Sequence, residues 1–184
     1  MRLFVGVRPP EAALARVAAA VEAVRDLPTA PSWTDPRTWH LTLAFLGEVH
    51  EAHLPRLTAA LAEAAAADAA PTIWLAGSGT FPGRGPPAVL WVGVDGDLDG
   101  LEGLEGLARA VRRACRSARA PAEGKGFSPH LTVGRWRRPG IRAGADLLDL
   151  PPGPPFAVAE IELIRSYLGS NARHESVARI ALGR

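Results

Sequence analysis

Apolar and polar positions follow two rhythms along the chain, and the switches between them outline its elements. RLFVGVRP, Arg2–Pro9, is an extended apolar run stopped by Pro9 and Pro10, which predicts a first strand. PEAALARVAAAVEAVRD then carries apolar residues at helical spacing and opens on Pro10, where a missing N–H costs little. LPTAPSWTDPRTW is punctuated by prolines and predicts a connection with a short extended piece at Ser32–Thr34. WHLTLAFLG, Trp39–Gly47, reads as the next strand, and an alanine-rich helix follows from near Glu51 to about Asp68.

The second half resumes the alternation. PTIWLAGSGTF and PAVLWVGVDG predict two strands joined by PGRGPP, and LDGLEGLARAVRRACRSAR predicts a helix weakened by Gly103 and Gly106. FSPHLTVGRW is a further strand, GADLLDL a short helical or turn segment, and PPGPP a break. FAVAEIELIRSYL and HESVARIAL close the chain as a strand pair with period-two alternation. Two similar strands, each flanked by a helix, suggest a loose duplication. The expected fold is α+β: two antiparallel sheets with helices packed on their outer faces. No linker interrupts it, so residues 1–184 are expected to form one domain of two intertwined lobes.

Composition adds bounds. The chain has 184 residues, 47% hydrophobic and 22% charged, as in ordinary globular proteins. No apolar run reaches the roughly 18 residues that span a bilayer, and the apolar segment at the N-terminus is too short for a secretory signal. A single cysteine, Cys115, cannot close an internal disulfide, so a cytoplasmic setting without membrane attachment is expected. The formal charge is +2, but the isoelectric point is near 9.3 and Lys125 is the only lysine. Arginine suits bidentate phosphate binding, so this balance tolerates a polyanionic partner without requiring one.

The candidate chemistry lies in a phrase used twice, HLTL at His40–Leu43 and HLTV at His130–Val133. Alternate strand residues share a face, so His40 and Thr42 point one way and Leu41 and Leu43 the other. The same parity pairs His130 with Thr132 and sets Leu131 and Val133 behind them. One such phrase is ordinary strand grammar; a lone strand histidine usually just satisfies a backbone group. Two copies on opposite walls of a cleft instead suit general acid–base catalysis, one imidazole donating a proton and the other accepting one. Phosphodiester cleavage fits this pair, with Thr42 and Thr132 donating to the non-bridging oxygens. The scheme calls for no metal and no cofactor.

Two H-x-T-hydrophobic motifs about ninety residues apart resemble the signature of the 2H phosphoesterase superfamily. SWTDPRTWHLTLAFLGEV, GSGTFPGRGPPAVLWVGV and KGFSPHLTVGR further resemble the RNA 2',3'-cyclic phosphodiesterases, also called 2'-5' RNA ligases. The resemblance covers essentially the whole chain and implies a bilobal α+β fold with pseudo-twofold symmetry, its two antiparallel sheets lining a central cleft that both motifs face. It implies that His40 is the proton donor to the leaving O3', and His130 the acceptor that activates water, leaving a 2'-phosphate. Thr42 and Thr132 would hold the phosphate, and the reversed chemistry implies 2'-5' ligation without a nucleotide cofactor. The implied partner is RNA with a 2',3'-cyclic phosphate end, tRNA fragments among the candidates, bound by a monomer. Arg135 and Ser166 match recurrent family positions and are substrate-binding candidates. Parity sets Arg135 on the face opposite His130 unless a bulge intervenes. Family members often carry a tyrosine in the last strand pair, where this chain has His174. A phosphodiesterase for a small cyclic nucleotide and a non-catalytic RNA-end binder are the competing readings.

Other features read as structural. His50 and His53 share a helix face at i, i+3 but lack further ligands for a metal. GSGTFPGRG has neither dinucleotide-binding nor Walker spacing and reads as a turn. The five tryptophans read as core or cleft-edge packing, with one or two available to stack on a base, and Cys115 as a packed thiol.

Overall fold

A computed structural model describes residues 1–123, 126–137, 147–169 and 173–183. Its strands are β1 (Arg2–Val7), β2 (Ser32–Trp33), β3 (Leu41–Glu48), β4 (Thr72–Phe81), β5 (Val89–Asp95), β6 (His130–Arg135), β7 (Phe156–Ala157), β8 (Glu160–Tyr167) and β9 (Arg173–Ala181). Its helices are α1 (Glu11–Val24), α2 (Leu54–Ala67) and α3 (Leu98–Ser117). Each element foreseen from the pattern is present where the residues are described. Of GADLLDL, residues 144–146 lie outside the described residues and Leu147–Leu148 form a turn.

The strands follow the path β7-β4-β5-β6-β3-β1-β8-β9, with β2 on β6, and every pairing is antiparallel. The two expected sheets are the two halves of this path. They meet at one residue pair only, Leu41 with Leu131, where β3 touches β6. Beyond it the strands diverge and open the cleft. Leu41, Leu43, Leu131 and Val133 are at most 1% exposed and form the apolar backing that the alternation requires. α2 and α3 pack on each other, α3 against β3 and β4, α2 against β8 and β9. Two glycines of α3 permit close contact: a Cβ at Gly100 would run into the Thr72 carbonyl, and one at Gly103 would press to 3.1 Å of Pro71, whereas Gly106 has no such neighbour. Among the described residues, no helix is long and apolar enough to cross a membrane.

One expectation changes. FAVAEIELIRSYL is not a single alternating strand: Phe156–Ala157 pairs with β4, while β8 runs between β1 and β9. Ile161 through Ile164 are buried without interruption, because β8 is an interior strand covered on both faces.

Candidate active site

The site is organised around the Leu41–Leu131 pair. Each leucine follows its motif histidine, so the pairing relates the two motifs by a local twofold axis. Extending the antiparallel register by one residue brings Thr132 across from His40 and Thr42 across from His130. Both histidines and both threonines line one cleft of about 950 Å³, as do Arg135, Ser166 and His174.

The two imidazoles are anchored alike. His40 Nδ1 lies 2.6 Å from the Thr38 carbonyl, and His130 Nδ1 lies 2.8 Å from the Ser128 carbonyl. A carbonyl only accepts, so both Nδ1 atoms carry the proton and each Nε2 is left for the cleft. The Thr42 hydroxyl sits 3.0 Å from His40 Nε2, where it donates to the neutral ring. The chain reaches this geometry through a turn at Pro36–Thr38, capped by the Asp35 side chain and ending in the Thr38 carbonyl.

The rings differ in their surroundings. His40 stacks on Phe4 with centroids 4.4 Å apart, and His174 meets it edge-on at 5.1 Å. Gly6 gives the ring its room, since a Cβ there would stand 2.9 Å from the Leu41 carbonyl and 3.4 Å from His40 Cδ2. Burial pushes the His40 imidazole down to about 4; the Thr38 carbonyl opposes this, and the like charges of His174, Arg8 and His130 add to it. His174 is also held below its ordinary value by burial, with Arg8 adding to the effect. His130 instead lies against the edge of Phe81 at 5.0 Å and near Trp91 at 6.4 Å.

Arg135 reaches the cleft through the backbone. The β5–β6 register shifts between Leu90 and Trp91, which leaves an extra residue in β6 opposite that step. This bulge reverses the parity and turns Arg135 to the side of His130 and Thr132. β3 does the same against β1, and Phe45, five residues after His40, takes the equivalent position under the Arg2 guanidinium. The sequence pattern missed Phe4 and Phe45, because apolar strand residues look like core, and it missed Arg2 because no motif marks it. Trp33 and Trp136 line the cleft as well, while Trp39 is buried with its indole N–H on Thr34. Asp35 is a cleft carboxylate whose charge is engaged by Arg37, which holds it below the usual carboxylate range. Tyr167, at the rim, is flanked by Arg165 and Arg173, and its hydroxyl donates to Glu175 at 2.6 Å.

The remaining candidates fall elsewhere. His50 accepts from the Ala52 N–H as a turn cap, and no cluster of three potential metal ligands occurs among the described residues. Cys115 is fully buried in α3, and burial pushes its thiol up to about 12.

The model of the 2'-5' RNA ligase superfamily matches residues 5–169. The chain belongs to that superfamily. An RNA 2',3'-cyclic phosphodiesterase of Thermus thermophilus is 34% identical over 171 residues, 89% of this chain and 83% of that protein. One from Geobacillus stearothermophilus is 33% identical over 153 residues, 82% of this chain; the match spans 48%, about half, of that relative's length. The crystal structure of TT0787 from Thermus thermophilus agrees with a TM-score of 0.77 at 30% identity, covering 99% of this chain and 98% of that one. A superfamily member is thus expected to fold as described, and the cleft is where its two repeated motifs converge.

Proposed function

We propose that this protein is an RNA 2',3'-cyclic phosphodiesterase that also has 2'-5' RNA ligase capability. The observation that carries the reading is the matched anchoring of His40 and His130, each fixed through Nδ1 so that Nε2 is the nitrogen turned to the cleft. Water attacks phosphorus as His130 Nε2 takes its proton; the P–O3' bond breaks, and His40 Nε2–H protonates O3', leaving a 2'-phosphate. Thr42 and Thr132 donate to the non-bridging oxygens, where charge builds in the transition state. Arg135 and Ser166 contact the substrate from the two walls of the cleft. With a 5'-hydroxyl in place of water, the same steps form a 2'-5' bond.

His40 must be protonated to act as the acid, yet the cleft holds it near 4. The substrate resolves this conflict. One negative charge about 4 Å from the ring is worth about 4 kcal/mol at an effective dielectric of 20. At about 1.4 kcal/mol per pKa unit this is close to three units, enough to raise the His40 midpoint to about pH 7 and populate its protonated form. Binding and protonation of the acid are therefore coupled. The substrate class is RNA ending in a 2',3'-cyclic phosphate, tRNA fragments among them. The chain acts in the cytoplasm as a monomeric unit of two lobes, because both motifs come from one chain.

The test is hydrolysis of an oligoribonucleotide ending in 2',3'-cyclic phosphate in excess EDTA, with the product identified as the 2'- or 3'-monophosphate. Release of 2'-phosphate is expected, and its loss in His40→Ala and in His130→Ala. No turnover, turnover abolished by EDTA, or a 3'-phosphate product would refute the scheme.

A further inference from the structure

Glu162 is the buried charged residue among the described residues, 2% exposed on the interior strand β8, and the proton transfers above make no use of it. Its Oε1 lies 3.6 Å from Arg8 Nε and 3.8 Å from Arg179 Nε, and its Oε2 has no partner. Burying such a group is costly, and an apolar residue of similar size often serves stability as well, so stability alone does not account for it. Its effect is on Arg8. With Nε turned to Glu162, the Arg8 guanidinium directs NH1 onto the Arg37 carbonyl at 2.7 Å. Arg37 lies in the middle of the Pro36–Thr38 turn, and the next carbonyl along, that of Thr38, fixes His40 Nδ1. Asp35 braces the same turn internally, accepting from the Arg37 N–H and, through its carbonyl, from the Thr38 hydroxyl. The Arg8 contact ties the turn to the end of β1, which Arg8 directly follows.

We propose that Glu162 is a positioning residue for His40: it orients Arg8, which clamps the Arg37–Thr38 turn and so fixes the tautomer and aim of the His40 ring. This rests on His40 being the proton donor of the reaction proposed above. Outer partners that orient metal-bound imidazoles are worth about ten- to a hundred-fold in affinity or activity, and a ring that must aim a proton is held by the same kind of contact. A guanidinium is suited to the task because its planar fork serves a carboxylate and a carbonyl from fixed directions, whereas an ammonium is a single point of charge.

The test is Glu162→Gln, which keeps size and removes charge, with Arg8→Ala and Arg8→Lys beside it. Nitrogen-15 spectra of the imidazoles report the tautomer of His40, steady-state kinetics separate kcat from KM, and thermal melts report folding. In Glu162→Gln, His40 is expected to lose its pure Nδ1–H signature, with kcat down about tenfold or more and KM nearly unchanged. Arg8→Lys is expected to recover part of what Arg8→Ala loses. A folded Glu162→Gln protein with the wild-type His40 tautomer overturns the proposal whatever its kcat, and equal losses in Arg8→Lys and Arg8→Ala exclude the graded clamp. If the wild-type protein does not open cyclic phosphates, the functional reading fails, while the tautomer in Glu162→Gln still decides this inference.

Discussion

Protonating His40 should cost the folded protein stability, and the cost follows from the burial of its ring. The imidazole titrates near 6.5 when unfolded and about 4 when folded, because the folded site disfavours the cation. Between those values the unfolded chain binds a proton that the native chain does not, so stability rises with pH across this window. The contribution is fully present above 6.5 and lost as pH falls through about 4. At about 1.4 kcal/mol per unit it amounts to about 3 kcal/mol at most, a large share of a typical 5–15 kcal/mol. The measurement is urea unfolding of the wild-type protein and of His40→Ala at pH 7.5 and pH 4. The cavity left by the truncation is the same at both values and cancels, so the variant should lose less stability on acidification than the wild type. His174, also held low by burial and within 5.1 Å of His40, titrates in both proteins and sets part of the common slope. Equal acid losses in the two proteins, or a His40 proton resonance with its midpoint near 6.5, would refute the reasoning.

Three further outcomes are expected. Adding inorganic phosphate should raise the His40 midpoint, followed by proton NMR, by about one to three units, through the charge that replaces excluded water; an unmoved midpoint would take the anion away from His40. Arg135→Gln should weaken binding of the RNA oligonucleotide and lower the slope of log K against log salt by about one, as for one lost phosphate contact; an unchanged slope would make Arg135 a structural residue despite its place in the cleft. Cys115, fully buried with its thiol pushed up to about 12, should resist a disulfide reagent in the native protein and react on unfolding in urea. Rapid native labelling would contradict its placement in α3.

What could be read from the sequence and what could not divide along one physical line. Period-two alternation reports which face a residue takes so long as the strand stays regular, and for His40, Thr42, His130 and Thr132 it does. Their apolar partners were equally legible, because Leu41 and Leu131 occupy the one place where the two halves of the sheet meet. Just past Thr42 and Thr132, an extra residue breaks the rule in β3, which bulges again nearer its end, and in β6, and nothing in LAF or VGR announces it. Arg135, which parity alone set on the face opposite His130, therefore lines the cleft, and Phe45 passes from apparent core to cleft wall. The same limit hid Glu162. In EIELIRS it looks like the solvent-facing half of an alternating strand, and only the pairing of β8 with both β1 and β9 makes it interior. The repeated bulge also bears on the two halves of the site. Motifs that match through His and Thr end in different chemistry five residues after each histidine: a phenyl ring beneath Arg2 on the His40 side, and a guanidinium on the His130 side. Burial is unequal in the same sense, with His40 packed between Phe4 and His174. Symmetric motifs cannot by themselves assign an acid and a base. The unequal surround supports the proposed assignment: burial disfavours the His40 cation, which makes His40 a ready proton donor once substrate charge has protonated it.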